Sequence, residues 1–161
     1  MPRQAAKLAA NNFRADVIPM KIAPAKSPAK LDQKLLALWA ADCAEHVLLF
    51  FEKKHPQDDR PRKAIAAARA WARGEIACGA ARSAAVATHA AARAADEVAA
   101  RAGARAAGHA AGTAHMAGHA RHAAAYAIKA VIATGTASER NWQRRRLPKH
   151  LCAKVFPPAK H

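Results

Sequence analysis

Residues 98–132 read VAARAGARAAGHAAGTAHMAGHARHAAAYAIKAVI. Alanine has the highest helix propensity and the smallest side chain that still packs, so this stretch favours helices whose backbones approach closely. It leaves little with which to build a sheet. As one helix it would run about 50 Å at about 1.5 Å per residue, too long for a compact domain of this size. A break or kink is expected at Gly112-Thr113 or at Gly118, and Gly135 is expected to end the region.

The flanking segments read the same way. From Leu31 to Lys54, the residues Leu35, Leu36, Trp39, Cys43, His46, Val47 and Phe50 fall on one stripe of about 120°, the mark of a core-facing helix. Pro56 ends it, and residues 55–59 form a turn. Asp58 or Asp59 can cap a second helix, with Pro61 in its first turn and Gly74 closing it after Arg73. Its Ile65, Ala68, Trp71, Ala72 and Ile76 face one side, and Arg62, Arg69 and Arg73 the other. A third helix is expected over residues 79–96. Ala84, Ala85, Thr88, Ala91, Ala92 and Ala95 form its packing face, with Arg82, Val86, His89 and Arg93 opposite. A last helix is expected from a capping box, Ser138 facing Asn141 and Thr136 preceding Glu139 by three, and to end near Leu147-Pro148. A short helix is also expected around Arg3 to Asn12.

These elements imply an all-α fold, a compact bundle of about five helices with alanine-rich, close-packed interfaces and flexible basic tails. Residues 1–30 read as a basic, Pro- and Lys-containing extension, 31–148 as a single helical domain, and 149–161 as a basic tail. The recurring Ala-Arg pairs keep no fixed period, so they are composition bias rather than a solenoid.

The chain has 161 residues, enough to bury a core without disulfides or a structural metal. Three widely spaced cysteines, Cys43, Cys78 and Cys152, suggest neither a disulfide framework nor a zinc ribbon. A reducing, cytoplasmic location is the simpler expectation. The N-terminus lacks the apolar core of a signal peptide, and no charge-free apolar run is long enough to span a membrane. The formal net charge is +16, concentrated at the two ends of the chain. Such a balance either favours an anionic partner or reflects solvated basic surfaces in an arginine- and alanine-rich protein.

Several groups could carry chemistry. His109, His115, His119 and His122 lie close in sequence, and on a helix the last three share one side. Imidazoles one turn apart can share a metal. No carboxylate lies between Glu97 and Glu139 to complete such a site, however. The alternative is a polar seam where histidines bond to backbone or to one another, and Gly108 and Gly112 on the same side favour that close packing. Asp42 and His46 are one turn apart beside Cys43, an order that could suggest nucleophilic catalysis. Cys43 lies in the middle of the apolar stripe, where a thiol is usually an inert core residue. Asp42 is better read as an anchor to His46 or to an arginine of another helix, or as the lining of a small pocket. The stripe Arg62, Arg69, Arg73 and the run 144–146 could contact phosphates. No helix-turn-helix spacing, zinc finger or stacking aromatic accompanies them. No nucleophile or acid–base pair can be placed, so no enzyme activity and no cofactor are expected.

The strings themselves carry a resemblance. Leu38-Trp-Ala-Ala-Asp-Cys-Ala-Glu-His-Val47 is followed by Asp59-Arg-Pro-Arg-Lys-Ala-Ile65 and Ala68-Arg-Ala-Trp-Ala-Arg-Gly-Glu75. Next come Ala107-Gly-His-Ala110, Thr113-Ala-His115, His119-Ala120 and Tyr126-Ala-Ile-Lys-Ala130. Glu139-Arg-Asn-Trp-Gln143 and Leu147-Pro148 close the series. Together they resemble the immunity proteins of bacterial polymorphic toxin systems, in the group described as like immunity protein five. The resemblance runs from about Leu31 to Phe156. It implies an all-α binding module, encoded beside a toxin and neutralising it by binding. Asp42, Arg62, His109, His115 and His119 match positions characteristic of the group. With His46 they form the expected binding residues, and the expected partner is the cognate toxin. The strongly basic balance departs from what a partner of a basic nuclease toxin would need, and the N-terminal extension lies outside the pattern. Two alternatives stand beside this reading. One is nucleic-acid binding through the basic surfaces, and the other is metal binding through the histidines.

Overall fold

Ser27 starts the first helix. It is extended at φ −156°, and its hydroxyl accepts the Lys30 N–H at 3.2 Å, a Ser N-cap followed by Pro28 in the first turn. The computed structural model describes residues 22–160, so the helix expected around Arg3 to Asn12 lies outside the described residues. Helix α1 spans Pro28–Glu52, α2 Arg60–Ala72, α3 Cys78–Ala94, α4 Val98–Gly112, α5 His119–Ile132, α6 Glu139–Arg146 and α7 Lys149–Val155. The fold is all-α, with no strand among the described residues and two more helices than the five expected. No described helix is long and apolar enough to cross a membrane.

One added element comes from the break inside residues 98–132. Both expected breakpoints are used, since α4 ends on Gly112 and Gly118 caps α5. The other is α7, formed by residues expected to be a tail. Its Leu151 and Val155 are buried, and His150 and Lys154 hold Asp32 of α1 at 2.8 and 3.0 Å. Gly74 and Gly135 end their helices at φ 77° and 85°, where side-chain residues are strained. After α2, Gly74 N–H reaches Trp71 O and Glu75 N–H reaches Ala70 O, both at 2.9 Å. Ala23 lies across this helix end and donates to Ala72 O at 3.1 Å, supplying one of the partners that terminal carbonyls lack.

The capping box expected before α6 does not form. Ser138 is the N-cap, but its side chain makes no capping bond, and Glu139 turns inward, only 3% exposed. The carboxylate has stronger partners inside the bundle, described below.

Helix α4 is the centre, packed against α1, α2, α3 and α5. Its alanines and glycines are buried almost all round, as a helix enclosed by neighbours requires. Only Val98, Ala99, Arg101, Arg105 and His109 reach the surface to any degree. Because α1 meets neighbours on more than one side, its buried surface is shifted from the expected stripe: Leu48 and Phe51 join it, Leu35 and Phe50 are only half-buried, and His46 is exposed.

Gly103 shows how close the helices come. A Cβ there would stand 3.0 Å from the backbone oxygen of Val47, which cannot swing away. Alanine gains roughly 1 kcal/mol of helix propensity, but overpacking against backbone costs roughly 1–3 kcal/mol. Gly103→Ala is therefore expected to lower stability in urea melts. Gly79→Ala, with nothing within 4 Å of the new methyl, is expected to raise it slightly. Equal shifts from the two variants would contradict this packing.

Candidate functional site

The six residues expected to bind fall in three places. Arg62 stands apart. Its guanidinium forms a two-pronged pair with Glu52 at 2.7 and 2.8 Å on the exposed α1–α2 edge. Arg69 pairs with Glu45 at 2.6 Å and Asp42 at 2.8 Å, and Arg73 pairs with Glu75 at 2.7 Å. The basic stripe read from α2 is thus neutralised by carboxylates, which removes it as a phosphate-binding surface.

Asp42 and His46 lie on the second face, where α1 meets α6. They do not pair with each other. Asp42 bridges Arg69 of α2 and Arg146 of α6, the latter at 3.5 Å. His46 Nδ1 meets Glu139 Oε2 at 2.8 Å, and its ring stacks on Trp142 with centroids 3.9 Å apart. Gln143 donates to Glu139 Oε1 at 3.3 Å and to Ala124 O at 2.9 Å, while Trp39 Nε1 donates to Gln143 O at 2.9 Å. The buried carboxylate and amide therefore tie α1, α5 and α6 together. Asp42, Glu45, His46, Trp142 and Arg146 line a cleft of about 220 Å³ above this network. Cys43 lies fully buried beneath it. Burial pushes its thiol well above the usual range, and Glu139 and Asp42 add to the rise. A thiol held protonated in the core is no nucleophile.

The third place holds the histidines. His109 of α4 and His119 of α5 approach Nδ1 to Nδ1 at 2.8 Å. One nitrogen must donate and the other accept, so the pair holds at most one proton between these two atoms. His89 of α3 lies edge-on to His109 at 4.8 Å, His122 tilts against it at 5.2 Å, and Tyr126 stacks on it at 5.4 Å and 9°. His115 stands 4.8 Å from His119. Two glycines make room for the rings. A Cβ on Gly108 would meet the His89 ring at 2.7 Å, and one on Gly112 would meet the His119 ring at 3.1 Å. The small residues of this seam thus admit imidazoles as well as close backbones.

Burial and basic neighbours lower the pKa values of His89, His109 and His119 and favour their neutral rings. His109 is lowered to about 3 by burial first, then by His89, His119, His122 and Arg105. His89 is lowered by burial, then by Arg105, His119 and Arg93, and His119 by burial, then by His115 and His122. No carboxylate figures among these causes. Neutral imidazoles suit metals, yet among the described residues no group of three or more His, Cys, Asp or Glu side chains is arranged to hold one. The nitrogens of His109 and His119 point at one another rather than at a shared third point, so the geometry does not carry the metal alternative. Nor does any Ser, Thr or Cys hydrogen-bond to an imidazole among the described residues, so the cluster can share and exchange protons but has no adjacent nucleophile.

His122, counted with the histidines from the start, belongs to this cluster with Tyr126, which appeared only within a quoted string, and with His89 and Arg105, which the sequence did not single out. His89 reads as part of the solvent-facing stripe of α3. Its inward position depends on Gly108 lying opposite, on another helix. Trp142 lines the other cleft and Glu139 lies in the network beneath it; as site residues their sequence signal is the Glu139-Arg-Asn-Trp142 string, Glu139 otherwise entering only as part of a capping box. No curated protein and no solved structure matches the chain. Residues 26–150 match the Imm-5 like putative immunity protein family, and the chain belongs to that family.

Proposed function

We propose that this family member is an immunity protein that neutralises a cognate bacterial toxin by binding it, without catalysing a reaction. The family match over residues 26–150 carries the reading. The chemistry of the clefts supports it. The Cys43 thiol is buried and held protonated, and among the described residues no Ser, Thr or Cys hydrogen-bonds to an imidazole of the histidine cluster. The contact residues we propose are His109, His115 and His119, because their cluster opens to solvent through the exposed His115 and His122. Asp42, His46 and Arg62 serve first as ties between helices, through Arg69, Glu139 and Glu52.

The test is genetic. Cells expressing the toxin-like product of the neighbouring gene are expected to stop growing, and co-expression of this chain is expected to restore growth. The double variant His115→Ala/His119→Ala is expected to protect at least tenfold less, scored as surviving colonies, while folding normally by circular dichroism. Absence of protection by the unaltered chain would overturn the reading.

A further inference from the structure

The ion pairs of this molecule are unevenly distributed. Glu52, Asp42, Glu45 and Glu75 neutralise the arginines of α2, and Asp32 holds His150 and Lys154 of α7. Among the described residues, the half-buried arginines of α4 and the facing Lys129 of α5 have no such partners. Arg101, Arg105 and Lys129 form no ion pair among the described residues. The carboxylates nearest in sequence, Asp96 and Glu97, precede α4, and Glu97 is tied to Lys54 at 2.8 Å. Arg101 instead donates to the backbone oxygen of Ala95 at 2.9 Å, and Arg105 lies 5.8 Å from the centre of the Tyr126 ring. With Val98, Ala102 and Tyr126, these three cations line a cleft of about 340 Å³.

We propose that this cleft, together with the adjoining histidine cluster, is the docking face for an acidic segment of the partner toxin, with Arg101, Arg105 and Lys129 receiving its carboxylates. The proposal rests on the immunity reading and assigns the chemistry of its partner. Three like charges around one cleft repel one another, and an incoming carboxylate relieves that repulsion. Guanidinium groups match carboxylates with paired, charge-assisted hydrogen bonds. Burial first, then basic neighbours, lowers His89, His109 and His119, and no carboxylate figures among the causes, so an incoming carboxylate would act against the contribution of those neighbours. Nucleic acid fits this face less well. The aromatic ring in the cleft, Tyr126, lies flat against His109 and is not free to stack on bases. The α2 arginines that could have extended a phosphate track are already paired.

The test uses the full chain with hexaglutamate, a 16-base-pair DNA duplex and inorganic phosphate as probes, titrated at low salt. Hexaglutamate is expected to bind more tightly than DNA or phosphate and to weaken as salt rises. Arg105→Ala/Lys129→Ala is expected to weaken it at least tenfold, whereas Arg62→Ala/Arg73→Ala is expected to stay within twofold. No binding of hexaglutamate, tighter binding of the duplex, or equal loss in both double variants would overturn the proposal. In the growth assay, Arg105→Glu/Lys129→Glu is expected to lose protection with its thermal melt unchanged. If that variant protects as well as the unaltered chain, the docking face falls while the immunity reading stands. If the unaltered chain does not protect, the toxin reading falls, and with it the partner named here.

Discussion

Phe51→Ala is expected to remove about 3–5 kcal/mol of folding stability, the range for truncating a buried aromatic residue. Phe51 is fully buried, and it packs with Ala91, Ala92, Ala95, Ala100 and Ala104 from α3, α4 and the link between them. Methyl side chains have no rotamers with which to enter the space a lost ring leaves. Apart from His55, whose ring stacks on Phe51 at 4.7 Å, only backbone movement can close it, and α4 is held against four helices. Collapse should therefore be poor and the cost near the top of the range. A domain of this kind has about 5–15 kcal/mol in all, so the variant should be marginally folded. Urea denaturation checks this, with Phe50→Ala as the comparison because Phe50 is only half-buried. A loss below 2 kcal/mol for Phe51→Ala would show that the alanine wall yields.

Stability is also expected to fall on mild acidification, before the carboxylates titrate. His109 has a folded pKa of about 3 against 6.5 unfolded, so the folded state prefers its neutral ring. Its contribution is fully present above pH 6.5 and is lost as the pH falls toward 3. His89 from α3, Arg105 on α4, and His119, His122 and Tyr126 from α5 surround the ring, and no carboxylate among them reverses the sign. His89 and His119 are lowered too and act in the same direction. At about 1.4 kcal/mol per tenfold change in proton affinity, the His109 shift would amount to about 5 kcal/mol. The ring is only half-buried and solvent screens it, so about 2 kcal/mol between pH 6.5 and pH 4 is the expected loss. Asp58 and Glu45, held below the ordinary carboxylate range by Arg60 and Arg69, add to the loss only from about pH 5 downward, at the acid end of that window, as their unfolded carboxyls protonate. Chemical denaturation at several pH values measures the slope. In His109→Gln the slope should flatten even though stability at pH 7 also drops. An unchanged slope would mean that His109 already carries a proton in the folded state.

Local chemistry made much of the fold legible. Alanine content, the glycines at 74, 112, 118 and 135, and the proline at 61 act within a turn or two of where they stand, so helix identity and most boundaries follow from them, whereas the first helix starts at Pro28, inside the stretch read as an extension. The Asp42–arginine anchor and the histidine seam could be anticipated because each uses residues with few other ways of being satisfied. The capping box failed because Glu139 had a choice. A buried site beside His46 and Gln143 outcompeted a local bond at the helix start.

What the sequence determined by itself, then, was the set of elements apart from α7, because helix propensity and capping are short-range. Which helix became the centre was a tertiary outcome. The alanines of α3 and α4 look alike in the chain, and only packing on four sides singled out α4. The tail became α7 because Leu151 found a buried place and Asp32 lay opposite His150 and Lys154. His89 joined the histidines because Gly108, on another helix, left space for its ring. The division of the surface into an ion-paired α1–α2 edge and an unpaired cationic α4–α5 cleft arose in the same way. A charge's partner depends on which helices become neighbours in space, and residues as far apart in the chain as Arg105 and Lys129 meet only when α4 and α5 pack.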